Sequence, residues 1–115
     1  MQNPYKLEKL SQYFADDKDQ IKEMITLFLK TIPPDINQLE VLAKKEEWYE
    51  LLKITHRIKP SFDVFEMNDI LNNIKAIEKL ARKKNLEGSL NICIKELKGK
   101  FDEICISLQM ELEKM

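Results

Sequence analysis

Apolar residues return every three or four positions along most of this chain, and that rhythm is the tightest constraint on its fold. From Ile21 the series runs through Ile25, Phe28, Ile32, Ile36, Leu39 and Ala43. Such steps line one face of a 3.6-residue helix. Trp48, Leu51, Thr55, Ile58, Phe62 and Phe65 predict a second helix, from about Glu47 to Phe65. Ile70, Ile74, Ile77 and Ala81 predict a third. It is expected to be capped by Asn68 or Asp69 and to end near Asn85, where a Glu87-Gly88-Ser89 turn follows. Leu90, Ile94, Leu97, Phe101, Ile104, Leu108 and Met115 predict the last long helix, at a/d heptad spacing. A short helix over Tyr5–Tyr13, with Tyr5, Leu7, Leu10 and Phe14 available to pack, precedes them all. Asp16 and Asp17 then supply a helix start, since carboxylates accept orphan N–H groups at the positive helix end.

Breakers are scarce. The 115 residues hold two glycines and four prolines, which favours long helices over many short strands. Gly88 and Gly99 stand alone, which excludes a glycine-rich phosphate loop. Pro33 and Pro34 interrupt the first long series, yet its apolar phase continues across them. One long kinked helix, or two nearly collinear ones, would keep the same face on the core. The segment Lys44-Lys45-Glu46-Glu47-Trp48 marks a turn. Four long helices with short connections make sequential neighbours antiparallel. The expected fold is therefore all-α, one domain over residues 1–115: an up-down-up-down four-helix bundle with an additional short N-terminal helix. An intermolecular coiled coil of the last helix is disfavoured, because the other helices need its apolar face to close their own core.

Several classes of function fall away. A formal net charge of −1 without a dense basic stripe argues against nucleic-acid binding. No run of about 18 apolar residues exists, so no membrane insertion is expected. The segment MQNPYKLEKL lacks the apolar run of a signal peptide, and the expected location is the cytoplasm. Cys93 and Cys105 are twelve residues apart, about 18 Å along one helix. That is too far for a disulfide, and no CxxC spacing suggests a metal, so both read as reduced core thiols.

One residue carries chemistry. His56 is the only histidine, and at 100° per residue it falls well over 90° from the core face of its helix. It should point to solvent. The residues three and four positions away, which share its face, are Leu52, Lys53, Lys59 and Pro60. Positive neighbours disfavour the imidazolium. A neutral exposed imidazole is a nucleophile, and ammonium groups within reach can hold phosphoryl oxygens. Positioning and charge stabilisation are what phosphoryl transfer asks of a protein.

The segment Thr55-His56-Arg57-Ile58-Lys59-Pro60-Ser61 resembles the motif of histidine-containing phosphotransfer domains. In that motif a lysine lies three residues after the histidine, followed by small or helix-bending residues. Phe28-Leu29 ahead of Pro33-Pro34 resembles the family's second helix, and Trp48-Tyr49 to Leu52 resembles the start of its histidine-bearing helix. The resemblance spans nearly the whole chain. It implies that His56 is phosphorylated, through the ring nitrogen farther from the backbone, and that Lys59 interacts with the phosphoryl group. Lys53, chosen by spacing, is a further cation that could assist. Position 60 is often glycine in the family; Pro60 removes the amide that would bond the His56 carbonyl. Ser61 matches the family's small residue.

The implied partners are response-regulator receiver domains and a hybrid sensor histidine kinase. Leu52, Tyr49, Arg57, Pro60 and Phe14 are the candidate docking residues. No cofactor is expected on this chain, Mg²⁺ being held by the receiver, and the protein is expected to be a monomeric phosphocarrier without kinase activity. A sensor-kinase dimerisation domain fits less well, because an acidic residue typically follows its histidine and Arg57 stands here. A non-catalytic helical adaptor, with His56 incidental, is the alternative from another class. Hydrolysis lacks support, with Asp63 the sole nearby carboxylate on that side.

Overall fold

A helix survives a pair of prolines only when tertiary burial outweighs the lost hydrogen bonds. That is what happens here. The computed structural model describes residues 4–84 and 88–115, and in it one helix runs unbroken through Pro33 and Pro34. The regular elements are α1 (Glu8–Tyr13), α2 (Lys18–Lys44), α3 (Trp48–Val64), α4 (Asn68–Arg82) and α5 (Ser89–Lys114). All are α-helices. The residues on both sides of the proline pair, Ile25, Phe28, Ile32, Ile36 and Leu39, are all buried on one face of α2. The predicted turn residues Asn85 and Glu87 lie outside the described residues.

Helix ends explain the connections. Asp17 caps α2: its Oδ1 accepts from the Asp19 and Gln20 amides at 3.0 and 3.2 Å. The turn after α2 is closed by the Glu47 N–H donating to the Leu42 carbonyl at 3.0 Å, with Glu46 in the left-handed region at φ 57°. The turn after α3 repeats the device, with Met67 N–H donating to Phe62 O at 2.9 Å and Glu66 at φ 53°. This 6→1 bond satisfies carbonyls that a helix end would otherwise strand.

The device also corrects an expectation. The N-cap position of α4 is Met67, not Asn68 or Asp69, and no side chain caps it. The closure of α3 draws Met67 inward until it is fully buried, leaving Asn68 and Asp69 in the first turn of α4. Another correction concerns the N-terminal segment, whose helix begins at Glu8 rather than Tyr5. Tyr5 is nonetheless buried, and its hydroxyl donates to the Ser107 carbonyl at 3.4 Å. The Lys6 amide donates to Phe65 O at 2.9 Å, tying this segment to the end of α3.

Packing forms a closed ring: α2 lies against α3 and α5, and α4 lies against the same two helices. Phe28 of α2 meets Phe62, Phe65 and Phe101 with ring centroids 5.4, 4.9 and 6.0 Å away, and Phe62 meets Phe101 at 6.1 Å. Mostly edge-on contacts of this kind add to the burial of large apolar surface. The helix faces read from the sequence are the buried ones, with two adjustments: Trp48 is only half buried, at the edge of the core, and Met115 is half buried just past the end of α5. Cys93 and Cys105 are free thiols on α5, and burial pushes the Cys105 thiol up to about 11, with Asp102 adding to the effect. No helix among the described residues is long and apolar enough to cross a membrane.

Holding a glutamate at positive φ costs about 1–2 kcal/mol. Glycine removes that cost and adds about 0.5–1 kcal/mol of chain entropy to be lost on folding. Glu46→Gly, at an exposed site, should therefore stabilise the protein by about 0.5–1 kcal/mol in urea denaturation. Unchanged or lower stability would contradict this account of the turn.

Candidate functional site

The rotation of α3 is set by what it buries. Leu51, Ile54, Thr55, Ile58 and Phe62 face inward. Tyr49, Lys53, His56, Arg57 and Pro60 are exposed as a consequence. His56 stands in the middle of this outer face. The helix continues through Pro60 to Val64, and because Pro60 carries no N–H, the His56 carbonyl receives no helical donor from it.

On each side of His56 a cation of α3 reaches a neighbouring helix. Toward α2, Arg57 Nη2 donates to Asp35 Oδ1 at 2.7 Å. Toward α4, Lys59 Nζ donates to Glu78 Oε1 at 2.8 Å. Lys53 turns along its own helix, 3.7 Å from Glu50 Oε2 and 5.4 Å from the centre of the Tyr49 ring. Both lysines that spacing places beside the imidazole are thus held by other groups.

Glu78 is the finding that sequence reading missed. It is 5% exposed, and it and Thr55 are the buried polar residues among those described. Thr55 Oγ1 lies 3.2 Å from Glu78 Oε2 and 2.9 Å from the Leu52 carbonyl, so one hydroxyl proton serves two acceptors. A signal existed. Glu78 follows Ile74 and Ile77 on the inward face of α4, where a charge is out of phase with the apolar pattern.

The predicted docking residues divide. Tyr49 is 73% exposed, Arg57 and Pro60 are exposed, and Leu52 is half buried against the core. Phe14 is half buried and packs on the core, whereas its neighbour Tyr13 is 75% exposed. α1 meets α3 near Asp63, whose carboxylate lies 3.5 Å from Lys9 Nζ. An apolar hollow opens between α2 and α3, one turn past His56. Met24, Leu27 and Thr31 form one wall and Pro60, Ser61 and Val64 the other. Leu27 and Met24 fall outside the core series of α2, which was the available sign of this surface.

Among the described residues, no three His, Cys, Asp or Glu side chains converge as a metal-ligand set. Comparison with protein-family models, with curated proteins and with solved structures returns no match.

Thr55→Val keeps the shape of the side chain and leaves Glu78 Oε2 without its donor. A buried group left unsatisfied costs about 1–3 kcal/mol. Chemical denaturation should show a loss of that size, and a neutral substitution would mean that the hydroxyl contributes nothing to the core.

Proposed function

We propose that this protein is a phosphocarrier of the histidine phosphotransfer kind, with His56 as the phosphoacceptor. The observation that carries the reading is the presentation of the single imidazole. It is exposed on the outer face of a well-packed helix, and interhelical ion pairs brace that helix on both sides. The closed ring of four long helices supports an up-down-up-down antiparallel bundle, with α1 as the additional short helix. The protein would act as a cytoplasmic monomer, without kinase activity of its own.

The chemistry follows from the imidazole. The lone pair of Nε2 attacks the phosphorus of an aspartyl phosphate on a receiver domain. The P–O bond to the aspartate breaks, the carboxylate leaves with the bonding electrons, and an N–P bond forms. Lys59 would offset charge on the transferred group, and Lys53, three residues before His56 and paired with Glu50, would assist once released. Attack by a second receiver's aspartate reverses the step and regenerates His56. Mg²⁺ belongs to the receivers. Hybrid sensor kinases, which carry receivers, are partners of the same class. Tyr49, Arg57 and Pro60, exposed on the helix that carries the imidazole, and half-buried Leu52 would form the contact, with Phe14 at its margin.

The apolar hollow at Pro60, Ser61 and Val64, one turn past His56, also favours a second reading, a helical adaptor that binds signalling partners without chemistry. One experiment separates the two. Receiver domains from the same organism, loaded with acetyl phosphate, are mixed with the wild-type protein and with His56→Gln. An acid-labile, base-stable phosphoryl group should appear on the wild type and not on the variant. Receivers that bind without transferring label would leave the adaptor reading.

A further inference from the structure

A carboxylate taken out of water is costly unless opposite charge and hydrogen bonds compensate. Glu78 sits on the inward face of α4 beside Ile74, Ile77 and Ala81, where an apolar side chain would avoid the cost altogether. Its two oxygens are both occupied, and both partners belong to α3. Oε2 meets the hydroxyl of Thr55, which also reaches the carbonyl of Leu52, four residues before His56. Oε1 accepts from Lys59, three residues after His56. One buried carboxylate therefore grips α3 on either side of the imidazole.

The consequence falls on Lys59. A lysine ammonium rides on a flexible four-carbon stem and ordinarily samples many positions. Here the stem is mostly covered, with the side chain 28% exposed, and one N–H is committed to Glu78. Two N–H donors remain for an incoming anion. The other cations near His56 are placed differently: Arg57 is paired to Asp35 on the opposite flank, and Lys53 pairs with Glu50, which is half exposed. Lys59 alone among these three is fixed by a buried partner.

We propose that Glu78 is a positioning residue for phosphoryl transfer at His56: anchored by Thr55, it presets the Lys59 ammonium for the transferred group. The assignment rests on His56 being the phosphoacceptor. Glu78 touches neither phosphate nor receiver, and acts through Lys59.

The test is single-turnover transfer from a receiver loaded with acetyl phosphate, with receiver binding measured separately by calorimetry. Glu78→Gln keeps the size and loses the charge. It should transfer roughly ten-fold more slowly, a coupling of the size expected between residues in one network, with receiver affinity unchanged. Lys59→Ala and the Lys59→Ala/Glu78→Gln double variant should transfer at the same rate, because the effect of Glu78 passes through Lys59. Should Glu78→Gln fail to fold, Thr55→Val takes its place. It keeps both charges, loosens the anchor, and should slow transfer in the wild-type background only.

A wild-type rate in Glu78→Gln would overturn the positioning role and leave the phosphocarrier reading intact. Equal slowing in the presence and absence of Lys59 would also overturn it, since that marks a general disturbance of the helices. A wild-type protein that takes no label from any receiver would remove the phosphocarrier reading and this role with it.

Discussion

The edge-on packing of Phe28, Phe62, Phe65 and Phe101 joins α2, α3 and α5, and the orientation of every other feature depends on it. With Phe62 turned into this cluster, and Ile58 and Leu51 buried about one and three turns ahead of it, the rotation of α3 has no freedom left. A helix so constrained must present the opposite face to solvent. His56 is on that face because of what lies beneath it. Solvent exposure of the imidazole is thus a consequence of core packing and does not require a dedicated surface feature.

Electrostatics then divide the two flanks of α3. Arg57 with Asp35 bridges α3 to α2 at the surface, where an ion pair contributes little to stability. Lys59 with Glu78 bridges α3 to α4 with one partner buried, where loss of either group would be felt. The same helix therefore has a soft flank beside the apolar hollow and a stiff flank beside the Thr55–Glu78 network. The proposed transfer would draw on both: an apolar surface for a partner, and a cation three residues from His56 that is held by a buried carboxylate.

Much of this was legible in the residues. The steps of three and four located every long helix; the apolar phase across Pro33 and Pro34 allowed one kinked helix or two collinear ones, and burial of the residues on both sides of the pair goes with a single α2. The outward direction of His56 followed from the helical angle alone. Other features were hidden for physical reasons. The turn over Lys44–Trp48 was read, but the left-handed conformation of Glu46 and Glu66, which closes two turns without glycine, was announced by no residue type. Met67 occupies the N-cap position because the preceding turn pulls it into the core, a tertiary effect that local capping preferences cannot show. The diversion of Lys59 to Glu78 joins residues nineteen apart on different helices, and a reading confined to one helix face finds the lysine without its partner.

Phosphorus NMR of the intact protein after incubation with phosphoramidate, which phosphorylates imidazoles without a protein partner, tests the central claim most directly. The account predicts one P–N resonance, one phosphate per chain, and an unchanged circular dichroism spectrum, because His56 is reached without disturbing the core. Failure to incorporate phosphate, or incorporation only as helical signal is lost, would contradict the claim that the packed helices present His56 ready for transfer.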